Sequence, residues 1–322
     1  MKTYCFKLYR SKKNRQLHNL ISLGGEIYNH CIALHKRYYR LYKKSLNVYS
    51  LQKHLTKLKK LPKYNHWTQL GSQAIQDITD RIDRAYKLYF RNRKHGIKTG
   101  LPGFKKRRNY KSFTLKQAGY KLLDNNKIKI GIQTFKYFKS QEIQGNVKTL
   151  TIKRDKLGDI YIYIVTDADN LKDAPRTGEI VGFDFGLKTF LTASNEEDIE
   201  SPLFFQQNRI AIRKANRNLS KKSKGSNNRR KARLSLECLH KKVANQRSDF
   251  HWKLANKLTD KYDWLFFEDL NLKSMQRLWG RKISDLAFSA FMLKLKYLAS
   301  AKGKTVLCIG RFEPSSKTCS VC

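Results

Sequence analysis

Val181-Gly182-Phe183-Asp184-Phe185-Gly186, running on into Leu187-Lys188-Thr189-Phe190-Leu191-Thr192, sets one acid inside a short apolar stretch. Trp264-Leu265-Phe266-Phe267-Glu268-Asp269-Leu270 does the same with a second. A carboxylate enclosed by a hydrophobic strand is costly to desolvate unless it is paired or binds a cation. Each acid alone also fits a satisfied structural role, and Glu268 could simply end a strand beside a turn. Together, as buried-looking acids on neighbouring strands, they predict a hard-oxygen site for Mg²⁺ or Mn²⁺.

Around these stretches the order is mixed α/β. Ile180 to Gly186 and Lys188 to Ser194 read as two strands with a tight Gly186-Leu187 connection. A basic helical hairpin follows from about Asn208 to Asp260, bent at Lys224-Gly225-Ser226. Trp264 to Phe267 is the next strand, Leu286 to Ala299 a helix and Thr305 to Ile309 another strand. Strand, hairpin strand, helices, strand, helix, strand is the order expected of an RNase H-like fold.

The N-terminal half reads differently. Thr3 to Tyr9 alternates as a strand, and Leu20, Leu23, Ile27, Cys31, Leu34, Tyr38 and Leu41 recur on one face of a long helix. Leu51 to Leu61 gives a shorter helical piece, and Ala74, Ile78, Ile82, Ala85 and Tyr89 a second long helix ending by His95-Gly96. From Leu101 the period becomes two. Ile128, Ile130 and Ile132, then Leu150 and Ile152, then Ile160, Ile162 and Ile164 mark strands, with Lys156-Leu157-Gly158-Asp159 as a hairpin turn. A β-domain interrupted by a helical insertion accounts for residues 1 to about 166, and Asp167 to Glu179 reads as a linker.

Charge sets the class of partner. In 322 residues, Lys and Arg number 68 against 25 Asp and Glu, a formal net charge of +43. Such a surface repels itself in isolation and calls for a polyanion, and counterion release makes nucleic acid the leading choice. A membrane partner is disfavoured by the lack of a long apolar segment, and Met1 to Arg10 has no apolar h-region. The protein is expected in the cytoplasm. The hairpin concentrates the excess: Arg213, Arg217, Lys221, Lys222, Lys224, Arg229, Arg230 and Arg233 belong to a run from 209 to 247 whose sole acid is Glu237. Like charges unrelieved along a helix are unfavourable without an anion, so this run is expected to track phosphates. Lys105 and Arg107, in the basic turn after Pro102-Gly103, join the candidates. The tyrosines of the helical module supply stacking surfaces for unpaired bases, or pack its helices together.

Cys5, Cys31, Cys238 and Cys308 are scattered and read as reduced thiols. Cys319 and Cys322 form Cys-x-x-Cys after Pro314-Ser315-Ser316, the spacing of half a zinc knuckle. Two thiolates leave a tetrahedral site incomplete.

Val181 to Thr192 resembles the first RuvC motif of the TnpB (OrfB) proteins of bacterial insertion sequences, relatives of the type V CRISPR nucleases. Phe266-Phe267-Glu268-Asp269-Leu270-Asn271-Leu272 resembles their second. Asn216 to Asp249 resembles their bridging helical region, and Arg311-Phe312 with Pro314 to Cys322 the entry to their zinc ribbon. The resemblance implies a multi-domain α+β chain. A β-barrel-like wedge domain (1–12 and 99–170) would carry an inserted helical recognition domain (13–98). A RuvC nuclease domain (178–313), with its basic hairpin over 206–260, would precede the first half of a zinc ribbon (314–322). It further implies an endonuclease that cuts target DNA under a guide RNA from the transposon end, in the bacterial cytoplasm at the nucleoid. Asp184 and Glu268 would be two of three catalytic acids holding Mg²⁺ or Mn²⁺. The third acid and the second Cys pair would follow residue 322, so the chain reads as C-terminally truncated, with Zn²⁺ expected only in a full-length protein and little cleavage by this chain. The alternative is a catalytically inactive RNA- or DNA-binding remnant or regulator of a mobile element. Oligomeric state is not readable.

Overall fold

The computed structural model describes residues 1–169 and 174–310, without the side chains of Lys273 and Arg281. It divides into two compact units, the first being Met1–Asp169.

The first unit runs β1 (Lys2–Lys7), α1 (Asn14–Tyr42), α2 (Val48–Leu58), a 3-10 segment Pro62–Leu70, α3 (Ser72–Lys94), β2 (Ser112–Leu115), β3 (Tyr120–Leu123), β4 (Lys127–Ile130), β5 (Gln133–Lys136), β6 (Val147–Arg154) and β7 (Ile160–Thr166). The apolar period of α1 buries Leu17, Ile21, Ile27 and Cys31, and α3 buries Ala74, Ile75, Ile78 and Ile82. Asn47 starts α2 by accepting the Ser50 N–H at 2.8 Å. β1 joins the later strands as expected: Tyr4, Phe6 and Leu8 enter one core with Ile160, Ile162, Ile164, Leu150 and Ile152.

The strands do not form the barrel-like domain expected. They make an open four-stranded antiparallel sheet in the order β1-β7-β6-β2 and a separate three-stranded sheet β3-β4-β5, linked by a Leu8–Tyr137 bridge. The outer edge of β2 explains why. Its Ser112 carbonyl accepts from Arg81 at 2.9 Å and its Thr114 N–H donates to Asp77 at 3.1 Å. With those groups taken by α3 side chains, the edge has little left to offer a closing strand. The strand expected through Ile132 also stops early. Gly131 turns with φ +59° and leaves Ile132 exposed.

The second unit contains β8 (Ile180–Phe185), β9 (Thr189–Ala193), β10 (Asp198–Glu200), α4 (Phe204–Ser220), α5 (Asn227–Lys261), β11 (Trp264–Glu268), α6 (Leu272–Leu286), α7 (Phe288–Ala301) and β12 (Thr305–Ile309). Its sheet is ordered β10-β9-β8-β11-β12, with β8, β11 and β12 parallel and β9 and β10 antiparallel. Val181, Phe183, Phe185, Leu265 and Phe267 share a core with Leu254 and Leu258 of α5 and Phe291 and Leu295 of α7. The expected basic hairpin is α4 and α5, turned at Gly225 (φ +90°) and restarted by the Ser226 hydroxyl, which accepts the Arg229 N–H at 3.1 Å. The helix expected from Leu286 begins instead at Phe288. Leu286 closes α6, an element the periodicity did not mark, and left-handed Ala287 (φ 51°) separates the two helices. Among the described residues no helix is long and apolar enough to cross a membrane.

Candidate active site and nucleic-acid interface

Strand alternation decides where the two acids point. In β8, Val181, Phe183 and Phe185 are buried, so Asp184 lies on the opposite face, and in β11 buried Leu265 and Phe267 leave Glu268 there too. Phe183 is in register with Phe267 on these parallel neighbours. The next residues, Asp184 and Glu268, therefore stand side by side on one face at the C-terminal ends of their strands. Both are exposed. This corrects the expectation of buried acids: the flanking phenylalanines belong to the core and the carboxylates to the open face.

The pair is electrostatically strained. Partial desolvation, then the charge of Glu268, push the Asp184 carboxyl above the ordinary carboxylate range, against the opposing donation of the Phe185 N–H. Beyond Asp184 the chain must turn at once. A Cβ on Gly186 would lie 2.6 Å from the Thr189 carbonyl oxygen, so glycine is required there.

Among the described residues no group of three or more His, Cys, Asp or Glu is placed to hold a metal. The Asp184–Glu268 pair nonetheless fits a hard divalent cation. Two adjacent oxygen donors whose mutual repulsion raises a pKa are what such an ion relieves, with water completing its shell. Cys319 and Cys322 lie outside the described residues. Asp285 is buried and otherwise engaged. It accepts the Phe205 N–H at 3.0 Å and the Gln206 N–H at 3.3 Å and pairs with Arg247 at 3.0 Å. It anchors the start of α4 from eighty residues away, so nothing in the local spacing could have announced it.

That anchor sets the direction of a cationic stripe. Arg209, Arg213 and Arg217 of α4 and Lys221 just past its end recur every fourth residue and, with Asn216 and Ser220, line a cavity of about 880 Å³. Lys224 is exposed in the turn, and Arg230 and Arg233 are exposed on α5. Arg229 and Lys222 are half-buried, and Arg229 turns inward, donating to the carbonyls of Leu219 (3.0 Å) and Lys222 (2.7 Å). Lys105 and Arg107 belong to the first unit. The Lys105 ammonium sits 4.5 Å from the centre of the Tyr28 ring, and burial, then Arg81, lower its pKa. The Asn29 amide brackets the Lys105 backbone, donating to its carbonyl at 2.9 Å and accepting its N–H at 2.8 Å.

A family model described as "Probable transposase", OrfB_IS605, matches residues 163–278, which contain both acids and the cationic hairpin. A "Putative RNA-guided DNA endonuclease" of Streptomyces pristinaespiralis is 33% identical over 176 residues, 54% of this chain and 44% of that protein. Over residues 163–278 the chain is thus similar to the OrfB/TnpB family. A second relative, "Putative RNA-guided DNA endonuclease InsQ" of Escherichia coli (strain K12), is 30% identical over 218 residues, 66% of this chain and 52% of its own. The chain spans about half the length of the curated relatives it matches. A solved structure, "Cryo-EM structure of the Cas12f1-sgRNA-target DNA complex", aligns over 98% of this chain and 76% of the other with a TM-score of 0.57 at 16% identity, a likeness of fold.

Proposed function

We propose that the chain acts in RNA-guided cleavage of DNA for a mobile element, with the second unit as a RuvC-type nuclease domain. The first unit then serves as wedge (1–12 and 99–170) and recognition (13–98) modules that hold a guide RNA from the transposon end. One observation carries the reading: two acids on the exposed face of adjacent parallel strands, in register at their C-terminal ends. In open α/β sheets this is where ligands bind. The names of the relatives and the likeness to a Cas12f1 complex support the same class of chemistry. A cytoplasmic, nucleoid-associated location goes with it.

Asp184 and Glu268 would hold Mg²⁺ or Mn²⁺, which would supply Lewis-acid stabilisation of a phosphodiester under attack. What the chain itself contributes is position. Parallel pairing fixes the spacing of the carboxylates, Gly186 keeps the exit from β8 tight, and the α4 stripe offers cations for the nucleic-acid backbone. The elevated Asp184 pKa makes cation binding compete with a proton as pH falls.

The test is a Mn²⁺ titration followed by calorimetry, run beside Mg²⁺-dependent cleavage of a DNA target in the presence of guide RNA. Asp184→Ala should lower Mn²⁺ affinity with RNA affinity changed little and, in a longer version that supplies the third acid, cut cleavage by about 10²–10³-fold or more. Unchanged Mn²⁺ binding in this variant would remove the site. Loss of RNA binding in step with cleavage would make Asp184 a structural acid, and RNA binding with neither Mn²⁺ binding nor cleavage in the parent would favour the inactive binder.

A further inference from the structure

The 29-residue helix α1 carries one acid, Glu26, in a chain dominated by Lys and Arg. It opens into a cavity of about 440 Å³ inside the first unit, lined by Asn19, Ser22, Glu26, His66, Gln69 and Arg107. Glu26 is held rather than loose. Its Oε1 accepts the Trp67 indole N–H at 2.9 Å and meets His66 Nε2 at 3.0 Å, while Trp67 itself is buried. A fixed carboxylate on a surface otherwise suited to phosphate repels phosphate. What it attracts is an N–H donor.

The rim supplies the complement. Asn19 and Gln69 are exposed carboxamides and Arg107 an exposed guanidinium, so donors and acceptors stand around one anionic acceptor in a space that holds a base. Guanine is the base whose pairing edge sets two adjacent N–H donors beside a carbonyl acceptor. Uracil, cytosine and adenine each bring a ring or carbonyl acceptor against the carboxylate. We propose that this cavity is a subsite for an unpaired guanine of bound RNA. Glu26 Oε2 accepts from the base, Gln69 or Asn19 donates to its O6, and Arg107 holds the neighbouring phosphate. RNA is favoured over DNA because reading a pairing edge requires an unstacked base, which loops and bulges of RNA present without melting a duplex. The inference rests on the nucleic-acid-binding half of the proposed function and is independent of the acids of the second unit.

The experiment is fluorescence anisotropy of the full chain with short unstructured oligouridylates bearing a central guanine, a central adenine or neither, at one salt concentration. The guanine probe should bind about tenfold more tightly than the adenine probe, the discrimination typical of a charged base-edge contact. Glu26→Gln, which keeps an acceptor for the Trp67 N–H, should erase most of that preference. Gln69→Ala removes a side chain at the rim of the cavity and should reduce guanine affinity a few-fold with the melting temperature unchanged. Arg107→Ala should weaken all three probes alike. A parent chain without guanine preference, or a preference untouched in both Glu26→Gln and Gln69→Ala, overturns the subsite while leaving the nuclease reading intact. Equal binding of a matching DNA duplex, whose guanine edge is paired, overturns the reading of an unpaired base and with it the preference for RNA. Failure of every probe to bind in a salt-dependent way overturns the subsite and the nucleic-acid reading together.

Discussion

Asp263, just before β11, and Glu268, at its end, stand at opposite ends of one strand in opposite electrostatic settings. Asp263 is buried, bonded to the Lys304 ammonium, and accepts the N–H groups of Thr177 at 3.0 Å and Gly178 at 2.8 Å. These partners hold it far below the ordinary carboxylate range, Lys304 foremost. Glu268 is exposed, and its charge helps push its neighbour Asp184 upward. An acid in an apolar strand is therefore not one kind of residue. Where surrounding donors lower its pKa it secures the fold, and where a second acid raises it the site is suited to a cation.

The sharpest way to break that contrast is to strip Asp263 of its cation. Lys304→Met leaves a buried carboxylate with two backbone donors and no counter-charge, so a large fall in the melting temperature at neutral pH is expected. Because the paired Asp263 is depressed in the fold, its contribution is present above the ordinary aspartate pKa and fades as pH drops. Lys304→Met and parent should therefore approach each other on acidification in thermal melts. A constant gap would mean that Lys304 acts through packing alone.

Arg229→Ala should have the next largest effect, about 1–2 kcal/mol in denaturant unfolding, because its guanidinium closes the α4–α5 turn through two carbonyls. Its effect on salt dependence should be slight. Replacing Arg213 and Arg217 with Ala should do the reverse, leaving stability near that of the parent and flattening the log affinity–log salt slope for RNA by roughly 1.4–1.8. Equal slopes in all these proteins would make the α4 stripe a solvated face.

The smallest effect is expected at the open end. Asp184 titrates above its unfolded value, so its ionised form destabilises the fold at neutral pH and costs nothing below the ordinary carboxylate range. Asp184→Asn should melt slightly higher than the parent at neutral pH, and the curves should merge in acid. Added Mg²⁺ should raise the melting temperature of the parent more than that of the variant. A variant less stable than the parent at neutral pH would place Asp184 with Asp263, among the acids that hold the fold.

Much of this was legible in the residues. Three- and four-residue spacing located α1, α3 and α5, and two-residue spacing located β6 and β7, because each buries one long continuous face. β8 was found as an apolar run, and its alternation, with Val181, Phe183 and Phe185 inward and Asp184 outward, was hidden by that reading. β2, β3, β5 and β10 are too short for their period to stand out, and α6 is broken by the non-helical backbone of Trp279. Asp285 and Arg229 were unreadable for a different reason. Their partners, backbone groups and for Asp285 the Arg247 guanidinium as well, are brought to them only by the folded hairpin.

The crossover between β8 and β11 also governs when the acids can meet. Parallel pairing places Asp184 and Glu268 together only after α4 and α5 have been made and folded back over the sheet. At roughly 5–20 residues per second of synthesis, the first acid waits several seconds on the growing chain for the second. The early meander of β8, β9 and β10 can form in that interval, but the cation site cannot. A nascent chain interrupted before β11 thus carries the basic helices proposed to grip nucleic acid without the means proposed for cutting it.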